Sequence, residues 1–320
     1  MRFIETFREG NHISDVYLCK TKQIALTKNG KEYGSLVLQD KTGTVDAKIW
    51  ELNSPGINEF CALDYVYVDA DVTLFQGQNQ LNVKRIRKAD EGEYHPADYL
   101  PVSTKDIPKM YEELVGYVKS IKNPYLNKLA AGYFVDDPAF AKAFQFHSAA
   151  KSVHHGFVGG LLEHTLSVVK MCDYFAGFYK EINRDLLLTA AMFHDIGKTK
   201  ELSAFPLNDY TDEGQLLGHI YMGAQMINDL ARQIPEFPEV LKNELIHCIL
   251  AHHGELEYGS PKKPAIAEAM ALNFADNTDA KLETMTEIYD KANPTTEWLG
   301  FNRFVDSNIR QSSGSAAKRR

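Results

Sequence analysis

Five histidines and two aspartates in the second half of this chain occupy positions suited to metal chemistry. His194 and Asp195 adjoin within Ala190-Ala-Met-Phe-His-Asp-Ile-Gly-Lys198, at the end of a run that is apolar from Leu186 to Phe193. An imidazole beside a carboxylate at the end of a buried helix needs a partner, because an unpaired buried charge is costly. A metal ion supplies one. Similar settings recur: His164 stands early in an amphipathic stretch running to about Tyr179, and His219 follows Gly218 to open the periodic segment Ile220 to Ile234. His252 and His253 close the apolar segment Leu245 to Ala251, and Asp276 lies in the helical run Ala265 to Leu282. One metal takes about four to six ligands, so seven candidates predict two divalent metals.

Two cations roughly 3.5 to 4 Å apart suit in-line attack of water on phosphorus. Asp195 is the expected bridge, since the residue after a metal-bound histidine can reach a neighbouring site. Two residues spaced about 100° apart on a helix cannot share one face, so of His252 and His253 one is expected to face the substrate. His253 is therefore placed with Asp195 and Lys198 in the catalytic set. Lys198 either neutralises phosphate charge or complements a helix C-terminus. His154 and His155, just before Gly159-Gly160, either contact phosphate or belong to a polar loop. Neither a Walker loop nor a GxSxG elbow suggests another mechanism.

The order His164, His194-Asp195, His219, His252-His253, Asp276 resembles the HD phosphohydrolase superfamily. In its simplest members the residues matching His164, His194, Asp195 and Asp276 hold one metal. The resemblance to binuclear members implies that His219, His252 and His253 serve a second, with Asp195 bridging. Phosphodiesterases of the HD-GYP type carry a Glu four residues before the first His; Gly160 stands there, which removes a ligand for a third metal.

These residues must be positioned by helices, and the periodicity supplies them only after residue 104. Ile107 to Ile121 is amphipathic, while Asn123-Pro124 and Asp137-Pro138 have the cap-then-Pro form of helix starts. From Asp15 to about Lys88 the pattern is instead of five or six short strands, which reads as a small β-barrel. The expected organisation is thus multi-domain: a barrel over residues 1–90, a linker over 91–104, an all-α domain over 105–310, and a disordered tail over 311–320. Gly34-Ser-Leu-Val-Leu-Gln-Asp-Lys-Thr-Gly-Thr-Val-Asp-Ala-Lys-Ile-Trp50 resembles OB-folds of the tRNA-anticodon type. In such a barrel aromatics stack on bases and cations follow the backbone. Tyr33, Lys48, Trp50, Lys84 and Arg85 are the candidates for substrate binding, with Tyr67, Phe75 and Arg87 beside them. Each has a plainer reading, an aromatic at the barrel rim or a solvated cationic edge.

Composition narrows the class. Hydrophobic content of 44% and charge of 24% are those of an ordinary folded protein, with no apolar stretch long enough to span a bilayer. The N-terminus lacks a signal-peptide core, and Cys19, Cys61, Cys172 and Cys248 show no CxxC spacing, so a reducing, cytoplasmic setting is expected. The net charge of -8 counts against nucleic acid, but residues 1–90 carry 12 basic and 12 acidic side chains, so the acidic excess lies beyond them. Lys84, Arg85, Arg87 and Lys88 form a basic cluster within that neutral part.

A barrel followed by an HD domain, with His154-His155-Gly-Phe-Val-Gly-Gly-Leu-Leu-Glu-His164, is similar to the YhaM-type 3′-5′ exoribonucleases of Gram-positive bacteria. The likeness implies hydrolysis of single-stranded RNA, and of single-stranded DNA in addition, from the 3′ end with a pair of Mn²⁺ ions. The His and Asp ligands themselves also accept iron, zinc or cobalt. The alternative is a nucleotide or cyclic-dinucleotide phosphohydrolase whose barrel regulates or assembles it. Open barrel edges and the apolar helices of 105–150 predict a homo-oligomer.

Overall fold

Strand β1 (His12–Leu26) is long enough to pair with two neighbours, β4 (Tyr65–Phe75) along its first half and β2 (Glu32–Asp40) along its second. A register shift between Cys19 and Thr21 falls where the partner changes, as bulges do when a strand must bend. With β3 (Gly43–Ile49) and β5 (Gln78–Lys88) the strands close in the order β1-β2-β3-β5-β4, parallel only between β3 and β5. That is an OB-type barrel. Alternation turns Leu36, Leu38, Val45, Ala47, Val66, Val68 and Leu81 inward, each of the larger ones stabilising by about 1.5–3 kcal/mol. The β4-β5 turn is Gln76-Gly77, both at positive φ, as a tight hairpin requires. Closure leaves no open edges, so the edge argument for self-association is withdrawn.

The computed structural model describes residues 1–151, 155–293 and 296–312, and these form two compact units that divide between Pro101 and Val102. His154 and residues 313–320 of the expected tail lie outside the described residues. The segment read as a linker over 91–104 belongs mostly to the barrel. Tyr94 stacks on Tyr65 at 3.8 Å, Tyr99 and Leu100 are buried, and the Lys41 amide donates to the Asp98 carbonyl. Its charges and prolines read as a linker, while its buried aromatics hold it down.

The second unit begins with α1 (Ile107–Ser120), α2 (Pro124–Phe134) and α3 (Pro138–Phe146). Asp106, Asn123 and Asp137 each accept a first-turn amide, with proline in that turn where its missing N–H costs nothing. Next come α4 (Gly160–Phe178), α5 (Arg184–Phe193), α6 (Lys198–Glu201), α7 (Asp212–Ala231), α8 (Glu239–Ala251) and α9 (Ala267–Lys291). Helix α5 is the hub: every residue from Leu186 to Phe193 is buried, and α2, α4, α8 and α9 pack around it. A helix apolar all round belongs at a core's centre, and its C-terminal end is thereby held at a fixed place. The unit is helical except for a hairpin, β6 (Trp298–Asn302) and β7 (Ser307–Arg310), which the all-α expectation omitted. Five residues and four carry too little alternation to be visible. Among the described residues no helix is long and apolar enough to cross a membrane.

Candidate metal centre

His194 caps α5 and keeps helical geometry, so its Nδ1 donates back to the Ala191 carbonyl at 2.7 Å. The same device recurs at every histidine of the set. His252 Nδ1 donates to Ile249 O, His253 Nδ1 to Tyr258 O, His219 Nδ1 to Glu201 Oε1, and His164 Nδ1 to Asp279 Oδ2. With Nδ1 so engaged, Nε2 is the nitrogen each ring has left to offer a cation, which is how proteins orient imidazoles as metal ligands.

The centre those nitrogens surround is Asp195, 2% exposed. Its Oδ2 lies 3.4 Å from His164 Nε2 and 3.5 Å from His194 Nε2, while Asp276 Oδ1 is 3.2 Å from His164 Nε2. Its Oδ1 faces the other way, 3.5 Å from His219 Nε2 and 3.8 Å from His252 Nε2. Asp195 Oδ1, His219 Nε2 and His252 Nε2 are all buried without a hydrogen-bond partner. Three unsatisfied polar atoms converging on one point are expensive unless something positive sits between them. Ligand atoms of His219, His252 and His253 all lie within 4.8 Å of one another, and so do those of His164, His194 and Asp276. The donor set fits two divalent cations.

His252 and His253 both bring a ligand atom near His219, and His253 also lines the open cleft. His252 keeps helical backbone angles as the C-cap of α8, and Gly254 at φ 80° turns the chain away after His253. Lys198 follows the end of α5 and opens the short α6. Its Nζ is 2.7 Å from Asp195 Oδ2. His219 begins the second of two helices that α7 joins across Gly218, whose backbone is non-helical (φ 74°), as its place after that glycine leads one to expect.

Electrostatics agree with the geometry. Burial by itself would raise the Asp195 pKa, yet Lys198 and His194 hold it well below the usual carboxylate range. Burial likewise opposes, but does not prevent, the lowering of Asp276 by His164 and His194. Desolvation, then His253, keeps His252 neutral and able to donate a lone pair. At His164 burial lowers the pKa, but Asp276 and Asp279 outweigh it and raise the group to about 10. A cation held at this nitrogen would have to displace that proton.

His155, buried, donates from Nε2 to Asp279 Oδ2 at 3.1 Å and lines the same cleft as His164 and Lys198. Asp279 and Glu201 were missed in the sequence. Asp279 lies one turn beyond Asp276, a spacing that puts both on one helix face and could have revealed it. Glu201 offered no signal, since its partner His219 is 18 residues away.

The barrel candidates lie in the other unit. Tyr33 and Trp50 have ring centroids 5.0 Å apart, and Lys48 Nζ lies 5.9 Å from the Tyr33 ring while donating to Ser35. The basic cluster is largely neutralised: Lys84 pairs with Asp71, Arg87 with Glu93 and Lys88 with Asp64, leaving Arg85 without an ion pair among the described residues.

A model of the HD domain matches residues 161–281, which contain the whole ligand set. Over 289 residues the chain is 35% identical to the 3′-5′ exoribonuclease YhaM of Bacillus velezensis, an alignment covering 89% of this chain and 90% of that one. The chain belongs to the YhaM family of 3′-5′ exoribonucleases. YhaM of Bacillus subtilis is 34% identical over the same shares, and that of Bacillus pumilus 32% identical over 91% of this chain and 92% of its own. Among solved structures, the second OB-fold domain of replication protein A from Methanococcus maripaludis aligns with 26% of this chain and 86% of its own, at 21% identity and TM-score 0.20. The barrel's fold is read from its strand order instead.

Proposed function

We propose that this exoribonuclease hydrolyses single-stranded RNA, and single-stranded DNA as well, from the 3′ end at a pair of divalent cations, Mn²⁺ foremost. The observation that carries the reading is Asp195, whose two carboxylate oxygens address two separate histidine groups. His164, His194 and Asp276 would hold one cation and His219, His252 and His253 the other, with Asp195 available to both. When bound, the pair supplies an activated water and neutralises charge on the phosphoryl oxygens.

The chain's own side chains do the rest. Glu201 and Asp279 fix the tautomers of His219 and His164, so that both nitrogens are oriented before substrate arrives. Lys198, its Nζ beside Asp195 Oδ2, exchanges one anion for another as phosphate enters and holds its negative charge. His155 stands at the cleft wall where a substrate phosphate passes. On the barrel, Tyr33 and Trp50 offer faces for base stacking, with Lys48 beside them for the backbone. Self-association is proposed too, through the exposed aromatics Tyr174, Phe178 and Tyr179 at the end of α4; a monomer in sedimentation would overturn it.

A time course with 5′-labelled single-stranded RNA and Mn²⁺, comparing the full chain with Asp195→Ala, tests the function. The expected result is a ladder shortening from the 3′ end that the substitution abolishes. An uncut strand would favour a free nucleotide as substrate, and an unchanged ladder in Asp195→Ala would place the active site elsewhere.

A further inference from the structure

The cleft that contains His164, Lys198, His253 and Asp276 has a volume of about 870 Å³ and extends well beyond the ligands. Along one wall Asn273, Asp276, Asn277, Ala280 and Lys281 follow each other at helical spacing, a single stripe of α9. Lys281 lies five residues past Asp276, about 7.5 Å farther along the axis. The opposing features are Tyr258 and the turn of the β6-β7 hairpin, Arg303 to Asp306.

This extension differs chemically from the centre. Lys281 and Arg303 are exposed and have no ion pair among the described residues, unlike Lys84, Arg87 and Lys88 of the barrel. Asp306 on the same turn offsets one of the two charges. Phe304 and Tyr258 are 61% and 64% exposed, and both line the cleft. Single exposed aromatics need no explanation, but two in one polar cleft beside uncommitted cations have the makings of a stacking platform.

We propose that the Arg303–Asp306 turn, Lys281 and Tyr258 form the binding site for the terminal nucleotides of the single strand. Phe304 and Tyr258 stack on bases, and Arg303 and Lys281 hold the phosphates leading to the metal centre. The site lies wholly within the second unit, so the strand end is gripped there whatever the barrel holds. Stacking accepts any base, as stepwise removal of nucleotides demands. The proposal rests on the exonuclease reading above.

The test is steady-state kinetics of the full chain with Mn²⁺ and a short 5′-labelled RNA, comparing wild type with Phe304→Ala, Phe304→Tyr and the double variant Lys281→Ala/Arg303→Ala. Phe304→Ala is expected to raise KM at least about fivefold, and Phe304→Tyr, which keeps a ring, to restore it. The double variant should flatten the dependence of log(1/KM) on log salt by about 1.4, two phosphate contacts at about 0.7 each. Thermal melts of each variant check folding. If wild type degrades RNA while Phe304→Ala and the double variant keep its KM and salt slope, the hairpin site is wrong and the nuclease reading stands. If wild type leaves RNA intact, the nuclease reading falls and this proposal with it.

Discussion

Asp279 Oδ2 accepts a hydrogen bond from His164 Nδ1 at 2.7 Å. This contact joins residues 115 positions apart and leaves His164 Nε2 facing His194 and Asp276. Losing such an orienting partner usually costs about 10- to 100-fold in metal affinity. Titration calorimetry with Mn²⁺ should show that loss in Asp279→Ala and partial recovery in Asp279→Asn, which retains an acceptor. Equal affinity in all three proteins would deny Asp279 an orienting role.

The two-cation reading can be counted. Elemental analysis of Mn²⁺-loaded protein should give roughly two ions per chain, and His219→Ala, which disturbs only the Oδ1 side of Asp195, roughly one. A single ion in the wild type would reduce the proposal to one metal.

Gly197 sits between the His194-Asp195 turn and α7. A Cβ there would lie 2.0 Å from the His219 carbonyl oxygen, a backbone atom that cannot step aside. Gly197→Ala should therefore push α7, and His219 with it, away from Asp195, destabilising by about 1–3 kcal/mol. Denaturant unfolding gives the first quantity, metal affinity the second; neither should stay at its wild-type value.

His247 accepts a hydrogen bond at Nε2 from the Ala265 amide, which an imidazolium could not do. Burial, followed by Lys262, lowers its pKa below the ordinary 6.5. Because the unfolded chain then takes up the proton first, stability rises with pH through this group. It is fully present above 6.5 and is lost as pH falls through the lower folded value. Unfolding midpoints measured between neutral and mildly acidic pH should fall less steeply for His247→Gln, which accepts without titrating; parallel curves would refute the assignment.

On the barrel, Trp50→Ala should weaken binding of a long single strand by at least about fivefold, the cost of one stacked base. Anisotropy of labelled RNA would register this. Full affinity in the variant would return the Tyr33-Trp50 pair to the plainer role of packing at the rim.

Much was legible before any coordinates. Asn123 and Asp137 announce their helices because capping is a contact over three residues. Barrel strands show themselves by alternation, again a local property. The candidate ligands stood out for a different reason: histidine and aspartate at the ends or along the inner faces of helices are costly to bury without a partner, so type and setting marked His164, His194, Asp195, His219, His252, His253 and Asp276. What escaped depended on distant parts of the chain or on where an element stops. Glu201 and Asp279 matter only through the histidines they touch. That the consecutive His252 and His253 both bring a ligand atom near His219 shows only in three dimensions. Tyr94 and Tyr99 turn a linker into part of the barrel through Tyr65, and a short hairpin reaches the cleft. The sequence by itself thus determined the two folds and the candidate ligands, since propensity, periodicity and the cost of buried charge act within a few residues. Only the tertiary structure decided which oxygen of Asp195 faces which histidine and what lines the way in, because those are distances between helices that the chain brings together from far apart.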